Sequence, residues 1–332
     1  MSASAAASTT AAAIGFQPSL FLSHGGGPCF FMKGGMFAAL DSESPAANFL
    51  RSVSSTMPQR PSACVVISAH WEGNERSIEI NTNPSPGAPL LYDYYGFPKE
   101  TYEIQWRAPN APPELAARVA SLLRARGFTV AENSTRGFDH GVFVPLKLVF
   151  PDADIPTLQV SLHGDLSAAA HIELGRALAP LRAENILICG SGFLTHNLRE
   201  ISRTVGGVPV EKWAAQFADW VTKTLLGSSR GVTATARGSE LGVPLDFASV
   251  ERALANAAKD APQFARAHPT VEHWLPLLVA LGAADPEPHG HSAILSTELF
   301  TQVVMGTAAL NSYRFDTGNF DTASRLGATS DL

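Results

Sequence analysis

The sequence predicts a single α/β domain, with a central mainly parallel or mixed β-sheet flanked by helices and the active site at the carboxyl ends of the strands. Short apolar runs rich in β-branched residues alternate with segments of helical periodicity, which is typical of parallel strands connected by helices. The chain of 332 residues is 45% apolar and only 16% charged, a globular composition that can bury a sizeable core. No fixed-period repeat divides the sequence into two apolar units.

Each element follows from its local pattern. Strands are predicted where short apolar runs lie between turn residues, at residues 19–23, 63–68, 77–81, 128–131, 157–162 and 185–189. Helices are predicted at residues 112–126, 168–181 and 211–226, and near residues 46–57, 247–259 and 271–281. The Gly-, Ser- and Thr-rich residues 227–244 are interpreted as a surface loop.

The two ends of the chain differ from the rest in composition. Residues 1–15, dominated by Ala, Ser and Thr, are predicted to form a disordered tail, and residues 317–332 a flexible one. Residues 16–316 are expected to form the single folded domain. The N-terminal tail has neither the basic segment of a secretory signal nor the arginines of a mitochondrial transit peptide, so neither is predicted.

Charge and cysteine content exclude several classes of partner. The 24 Lys and Arg residues against 30 Asp and Glu give a formal charge of −6, which disfavours binding to nucleic acid or to an anionic membrane. No apolar run approaches the roughly 18 residues that a membrane-spanning helix needs. Three scattered cysteines cannot form a disulfide framework, which favours a reducing, cytoplasmic location.

Histidines follow several of the predicted strands. His24, His70 and His163 each stand where a strand ends, and a fourth strand leads through Gly190-Ser-Gly to His196. The carboxyl ends of parallel strands meet at one edge of a sheet, so these imidazoles can converge. A three-histidine site with an open position suits a catalytic zinc or iron ion. A single such histidine is more often a hydrogen-bonded core residue, so the repetition is what favours a metal site.

Two further segments carry histidine beside an acidic residue. Asp139-His140, between Gly137 and Gly141, predicts either an acid/base pair or a turn held by an Asx hydrogen bond. The segment from His268 to Pro276 opens a predicted helix, and His273 is expected at its entrance, because a proline is tolerated in the first turn. The HExxH, GxSxG and P-loop motifs are all missing.

Together these segments resemble the class III extradiol ring-cleavage dioxygenases, the LigB-type superfamily, and most closely its 4,5-DOPA dioxygenase branch. The resemblance runs from about residue 18 to residue 284 and extends towards residue 315. The carrying motifs are SHGG (23–26), SAHW (68–71), GFDHG (137–141), PDADIP (151–156), GFLTHNL (192–198) and HPTVEHWLP (268–276), with YD (92–93) and GFP (96–98) resembling the substrate-side loop.

The resemblance implies roles for individual residues. The metal ligands are His24, His70 and His273, with His196 beside the metal as a fourth ligand. The catalytic acid/base residues are His140 and His196. The residues on the substrate side are Asp93, Phe97 and Trp71. His163 matches no ligand of the family, and His171, His289 and His291 are interpreted as surface residues.

The implied reaction is a metal-dependent extradiol cleavage, in which O₂ opens the ring of a catechol (DOPA-like or a related aromatic diol) to give a muconic semialdehyde. The cofactor is one divalent metal, Zn²⁺ or Fe²⁺. Fe²⁺ is expected for the O₂ chemistry because zinc has no accessible redox change. Many Fe²⁺ oxygenases use two histidines and a carboxylate, so Glu72 and Glu272 are alternative ligands. The implied partners are a small catechol and O₂, with a homodimer as the assembly to test.

Two other functional classes fit the same histidines. A zinc-dependent hydrolase would use them to generate a metal-bound hydroxide. A non-catalytic metal-binding relative would keep the fold without the reaction, although every matched histidine is present here.

Overall fold

A computed structural model of the chain describes residues 16–74, 76–83, 89–202, 208–229, 231, 233–285 and 292–317. The two predicted tails lie outside these residues, except for Thr317, which ends the last strand. The surface interpretation of His289 and His291 also falls outside them. The domain boundaries at residues 16 and 316 stay a prediction.

The described residues form twelve strands, ten of which belong to one mixed sheet. The strands are β1 (Ser19–Ser23), β2 (Ala63–Glu72), β3 (Ser77–Asn81), β4 (Thr129–Asn133), β5 (Thr157–Leu162), β6 (Ile186–Gly192), β7 (Glu240–Leu241), β8 (Leu245–Asp246), β9 (Ala293–Phe300), β10 (Val303–Val304), β11 (Ala308–Ala309) and β12 (Ser312–Thr317). The sheet has the order β4-β3-β5-β2-β6-β1-β12-β9-β7, with β8 also pairing with β9, and β10 and β11 form a separate pair.

Helices cover both faces of this sheet. They are α1 (Pro45–Ser52), α2 (Pro113–Ala125), α3 (His140–Val149), α4 (Ala168–Leu178), α5 (Lys212–Leu226), α6 (Phe247–Ala255), α7 (Ala257–Asp260), α8 (Phe264–Ala267) and α9 (Leu275–Ala283). Short 3₁₀ helices lie at Cys29–Phe31, Gly35–Leu40, Val53–Thr56, Lys99–Glu103 and Ala179–Glu184. Within the described ranges, none of the helices has the length and apolarity needed to cross a membrane.

The centre of the sheet is parallel and buried on both faces. β5, β2, β6 and β1 run parallel to one another, so their carboxyl ends lie at one edge. In β1, Phe21 packs into the core formed with α2, α4 and α9, whereas Leu20 and Leu22 pack on the other side with α1 and α3. Strands covered on both faces become continuous apolar runs. The predicted single α/β domain is confirmed.

The structure corrects several boundaries. β2 runs on to Glu72, so His70 lies inside this strand and not after it. Residues 271–274 form a turn and α9 begins at Leu275, so His273 precedes the helix. The predicted loop 227–244 contains the short strand β7, which pairs with β9. The antiparallel strands β9 and β12 were absent from the predicted set; buried polar residues such as Ser296 and Glu298 hide their apolar pattern.

Two glycines let α9 and the turn before it lie directly on β6. A Cβ atom at Gly190 would stand 2.0 Å from the carbonyl oxygen of Pro276, and one at Gly192 would stand 2.4 Å from that of His273. The same His273 carbonyl accepts a hydrogen bond from the Phe193 amide at 3.1 Å. The position of His273 therefore depends on missing side chains in β6.

Replacing Gly192 with alanine should displace His273. The added methyl group would overlap the His273 carbonyl, so we expect a loss of about 1–3 kcal/mol in the free energy of unfolding and weaker metal binding. Urea denaturation and metal titration measure the two effects. Gly238→Ala is the matched control, since nothing lies within 4 Å of its added Cβ atom. Equal behaviour of the two variants would contradict this account of His273.

His171 is buried, which corrects its interpretation as a surface residue. It lies in α4 with 0% exposure. Its Nδ1–H donates to the Ser167 carbonyl at 2.7 Å, and its Nε2 accepts from the His163 amide at 3.1 Å. Burial lowers the pKa of His171 to about 4. A second proton would remove the hydrogen bond from His163, so the fold holds this imidazole neutral.

Replacing His171 with glutamine should flatten the acid dependence of stability. The unfolded chain protonates this histidine below about pH 6.5, whereas the folded chain does so only near pH 4. Its contribution to the free energy of unfolding is therefore full above pH 6.5 and is lost as the pH falls towards 4, by up to about 3 kcal/mol. Urea denaturation at pH 7 and pH 4.5 should show the wild type and His171→Gln converging. A constant difference between them would contradict a buried neutral imidazole.

Candidate metal centre and active site

Three imidazoles converge at the carboxyl edge of the sheet. Nε2 of His70 lies 3.2 Å from Nε2 of His24 and 3.2 Å from Nε2 of His273. His24 follows β1, His70 lies near the end of β2, and His273 lies in the turn that packs on β6. The parallel strands therefore bring together residues that are up to 249 positions apart in the sequence, by the difference 273 − 24.

The outer nitrogen of each of these imidazoles faces an oxygen atom. Nδ1 of His273 lies 2.9 Å from Oε1 of Glu272, and Nδ1 of His70 lies 3.5 Å from Oδ2 of Asp93. Nδ1 of His24 lies 3.0 Å from Oγ of Ser191. A carboxylate only accepts hydrogen bonds, so the proton of His273 sits on Nδ1 and its Nε2 lone pair is directed inward. The longer contact between His70 and Asp93 favours the same tautomer of His70.

Ser191 applies the same constraint to His24. Pro145 has no N–H group, so the Gly141 carbonyl in α3 lacks its usual partner four residues later. The Ser191 hydroxyl donates its single proton to this carbonyl. It can then only accept from His24, which again leaves the Nε2 lone pair facing His70.

The three residues fit a divalent metal ion. Two nitrogens bound about 2.1 Å from a tetrahedral ion lie roughly 3.4 Å apart, close to the 3.2 Å separations found here. Burial, followed by the neighbouring histidines, lowers the pKa of His24 and that of His70 well below the usual value. Burial likewise lowers the pKa of His273 to about 4. Neutral imidazoles with acceptors behind them are the form that binds metal.

His140 lies against this group without joining it. Its ring centroid is 3.9 Å from that of His70 and 5.4 Å from that of His24. Oδ1 of Asp93 accepts from both the His140 amide at 2.9 Å and its Nδ1 at 2.8 Å. Burial would raise the pKa of Asp93, but the hydrogen bonds from His140 outweigh it and lower that pKa. Asp93 therefore orients His140 and, through its other oxygen, faces His70.

His196 and Glu272 form a second pair of the same kind. The His196 ring stacks on that of His273, with centroids 3.4 Å apart and 17° between the planes. Nδ1 of His196 lies 3.7 Å from Oε1 of Glu272, the oxygen that also accepts from His273. Burial opposes ionisation of Glu272, yet the two histidines hold its pKa well below the usual range. His196 groups with Glu272 and His273, not with the three converging nitrogens.

Asp139 holds the turn that presents His140. Its carboxylate is fully buried and accepts from Ser68 Oγ at 2.7 Å, from Arg136 Nη2 at 3.1 Å and from Gln159 Nε2. Because its oxygens accept from these three side chains, Asp139 forms neither an acid/base pair with His140 nor the Asx hydrogen bond that the sequence suggested. It ties α3 to β2 and β5 and thereby fixes the start of α3.

A cavity of about 530 Å³ opens beside the histidines. Its walls include the five histidines already described together with Asp93 and Phe97, which the resemblance places on the substrate side. Trp71 is not part of the wall. The residue is 4% exposed, and its ring lies under the guanidinium of Arg136 with Cζ 4.5 Å from the ring centroid, so the structure gives it no route to substrate.

Some positioning residues were not identified from the sequence. The sequence showed Ser191 only as a residue between two glycines at the end of a strand and assigned it no role. Its role depends on Pro145, which lies 46 positions earlier, by 191 − 145. Glu272 was considered as a ligand, but it binds Nδ1 of His273 and not the space between the Nε2 atoms. Glu72 is exposed at the end of β2. The role of Glu272 could have been predicted from its position, because it directly precedes His273, a proposed metal ligand, in the sequence.

The chain is similar to known proteins over most of its length. Residues 18–309 match the family model described as the catalytic LigB subunit of aromatic ring-opening dioxygenase. The chain is 37% identical to the 4,5-DOPA dioxygenase extradiol of Beta vulgaris over 258 residues, covering 77% of this chain and 85% of that protein. It is 34% identical to the protein of the same name from Escherichia coli (strain K12) over 269 residues, covering 81% and 86%.

A solved structure extends the likeness to the fold. The crystal structure of an uncharacterized protein from Escherichia coli K12 superposes with a TM-score of 0.64 at 30% identity, covering 90% of this chain and 99% of that one. The chain therefore belongs to the LigB family of aromatic ring-opening dioxygenases, and within it to the extradiol ring-cleavage enzymes.

Proposed function

We propose that this enzyme opens the ring of a catechol, DOPA or a related aromatic diol, with O₂ to give a muconic semialdehyde. The ligands of its single divalent metal are His24, His70 and His273. The observation that carries the proposal is the arrangement of five imidazoles on one cavity. Three direct their Nε2 atoms to a common point, whereas His140 and His196 lie beside that point, each near a carboxylate.

A divalent metal bound there would hold the two catechol oxygens beside O₂ and acidify the hydroxyl groups. His140 is placed to take up the proton that a catechol hydroxyl loses. Because Asp93 holds its Nδ1, Nε2 is the nitrogen left for proton transfer, and the carboxylate stabilises the resulting imidazolium. The same residue can return the proton to the product.

His196 is the second proton-handling group. Glu272 lies behind its Nδ1, and its ring is fixed by stacking on His273. Its place beside the ligands, and not among them, supports a role in proton transfer over a role as a fourth ligand. The aromatic side chains of Phe97, Tyr94 and Phe193 line the same cavity and can hold the catechol ring.

Fe²⁺ is the proposed working metal, because the reaction with O₂ needs a redox-active ion, and zinc can occupy the same nitrogen ligands in isolated protein. A cytoplasmic location and a homodimer stay predictions. The described cysteines, Cys29, Cys64 and Cys189, are all free thiols, which is in keeping with a reducing compartment.

Iron-reconstituted protein should consume O₂ when it is given a catechol and should form a yellow semialdehyde in equal amount. His70→Ala should lose both metal and activity, because it removes the imidazole whose Nε2 lies 3.2 Å from the Nε2 atoms of both other proposed ligands. His140→Ala and His196→Ala should retain the metal and lose about 10²–10⁴-fold in kcat. An oxygen electrode, absorbance and metal analysis measure these effects.

Full activity with zinc alone after rigorous iron removal would contradict Fe²⁺ as the working metal. Metal binding without O₂ uptake across a panel of catechols would contradict the proposed reaction and favour a hydrolase. Unchanged turnover in His140→Ala and His196→Ala would contradict their role in proton transfer.

Removing the acceptor behind His273 should weaken the metal site. Glu272→Ala leaves Nδ1 of His273 without its partner at 2.9 Å, so we expect metal affinity to fall about 10–100-fold. Glu272→Gln keeps an acceptor oxygen and should lose less. Competition with a chelator measures the affinity. The control is Glu72→Ala, which removes an exposed carboxylate at the end of β2. Equal affinity in Glu272→Ala and Glu72→Ala would show that the contact does not orient the ligand.

A further inference from the structure

Away from the histidines, the cavity is lined mainly by apolar and aromatic side chains, and we call this part the chamber. The cavity's volume of about 530 Å³ is much larger than a bare catechol ring fills. The apolar and aromatic side chains of this lining that are half-buried or exposed lie at its opening to solvent. We call them the outer wall: Phe37, Tyr95, Phe97, Leu198, Ile201 and Met305.

Aromatic contacts fix the position of side chains in the outer wall. The rings of Phe37 and Phe97 lie 5.6 Å apart, and Phe97 also contacts Tyr94 edge-on at 5.5 Å. A Cβ atom at Gly27 would stand 3.2 Å from the Phe97 ring, so the bare glycine makes room for it. These contacts make one side of the chamber a fixed aromatic surface.

Two large apolar side chains stand in water at the opening. Leu198 is 63% exposed and Tyr95 is 87% exposed. A substituent that covered them would gain the free energy of removing both apolar surfaces from water. A substrate confined to the catechol ring would leave them uncovered.

The described residues of the cavity include few groups that could pair with a carboxylate. Among the described residues that line it there is neither Lys nor Arg. Its ionisable groups are the five histidines, Asp93 and the phenols of Tyr94 and Tyr95, and Asp93 would repel an anion. A carboxylate held against the outer wall would lose part of its hydration and gain no ion pair from these side chains, whereas an alkyl group there loses no hydrogen bond to water.

We propose that the substrate is a catechol with an uncharged apolar substituent of about three carbons or more, held by the outer wall, in preference to a carboxylated catechol such as DOPA. This inference rests on the proposed ring cleavage and narrows its substrate class. The substituent points from the metal-binding histidines towards Leu198 and Tyr95.

Binding tests this substrate class independently of turnover. 4-Propylphenol and 3-(4-hydroxyphenyl)propanoate have similar length, and each has a single hydroxyl group, so neither can undergo extradiol cleavage. Calorimetric titration of the metal-reconstituted enzyme should show 4-propylphenol binding at least about tenfold more tightly. Equal or tighter binding of the propanoate would overturn the inference.

Turnover of the matching catechols tests it again. The ratio kcat/KM should rise roughly threefold for each carbon from 4-methyl- to 4-propylcatechol, since each buried methylene adds apolar contact. 4-Propylcatechol should exceed 3-(3,4-dihydroxyphenyl)propanoate at least tenfold. The reverse order would overturn the substrate class while ring cleavage stands. Loss of O₂ uptake with every catechol would overturn the proposed function, and the phenol titration would still decide whether the chamber prefers apolar ligands.

A charge placed on the outer wall should shift the preference. Leu198→Arg supplies a cation at an exposed position, so the alkyl-to-carboxylate ratio of kcat/KM should fall at least fivefold. Leu241→Arg is the matched control, because Leu241 is 50% exposed on β7 and is not part of the cavity wall. An unchanged ratio in Leu198→Arg would overturn the placement of the substituent on this wall.

Discussion

The structure depends on one constraint: three neutral imidazoles whose lone pairs face a common point. The Nε2 atoms of His24 and His273 each lie 3.2 Å from Nε2 of His70, which is close to the separation of two nitrogens bound to one tetrahedral ion. The constraint is met because acceptors stand behind the rings, most closely Glu272 and Ser191. An acceptor behind a ring keeps the imidazole proton on Nδ1, which leaves the Nε2 lone pair free to bind a metal ion.

The fold supplies these acceptors from separate elements. Ser191 is available because a proline in α3 leaves the Gly141 carbonyl without an intrahelical partner. Glu272 is brought in by the turn that two glycines of β6 allow to lie on the strand. Asp93 and Glu272 each face one proposed metal ligand and one histidine proposed for proton transfer. The proposed metal centre and the proposed acid/base residues therefore share these two carboxylates, and disturbing one carboxylate affects both.

The parallel centre of the sheet and the histidines at its edge could be predicted from the sequence. Strands that are buried on both faces appear as continuous apolar runs, and the histidines follow these runs at the carboxyl ends of the strands. β9 and β12 were missed, since buried Ser296 and Glu298 interrupt the apolar pattern and their partners come from distant segments. His171 was misread because its hydrogen bonds to Ser167 and His163 exist only once the fold forms. Trp71 stands next to a ligand in the sequence but, in a strand, points to the opposite face.

The central claim is that three histidine nitrogens, without a carboxylate, form the metal site. Anomalous diffraction from crystals of the iron-loaded protein, recorded at the iron absorption edge, tests this most directly. The account predicts a single peak about 2.1 Å from Nε2 of His24, His70 and His273, with Glu272 still bound to Nδ1 of His273. A peak ligated by Glu272 or Asp93 in place of one imidazole, or a peak elsewhere in the molecule, would contradict it.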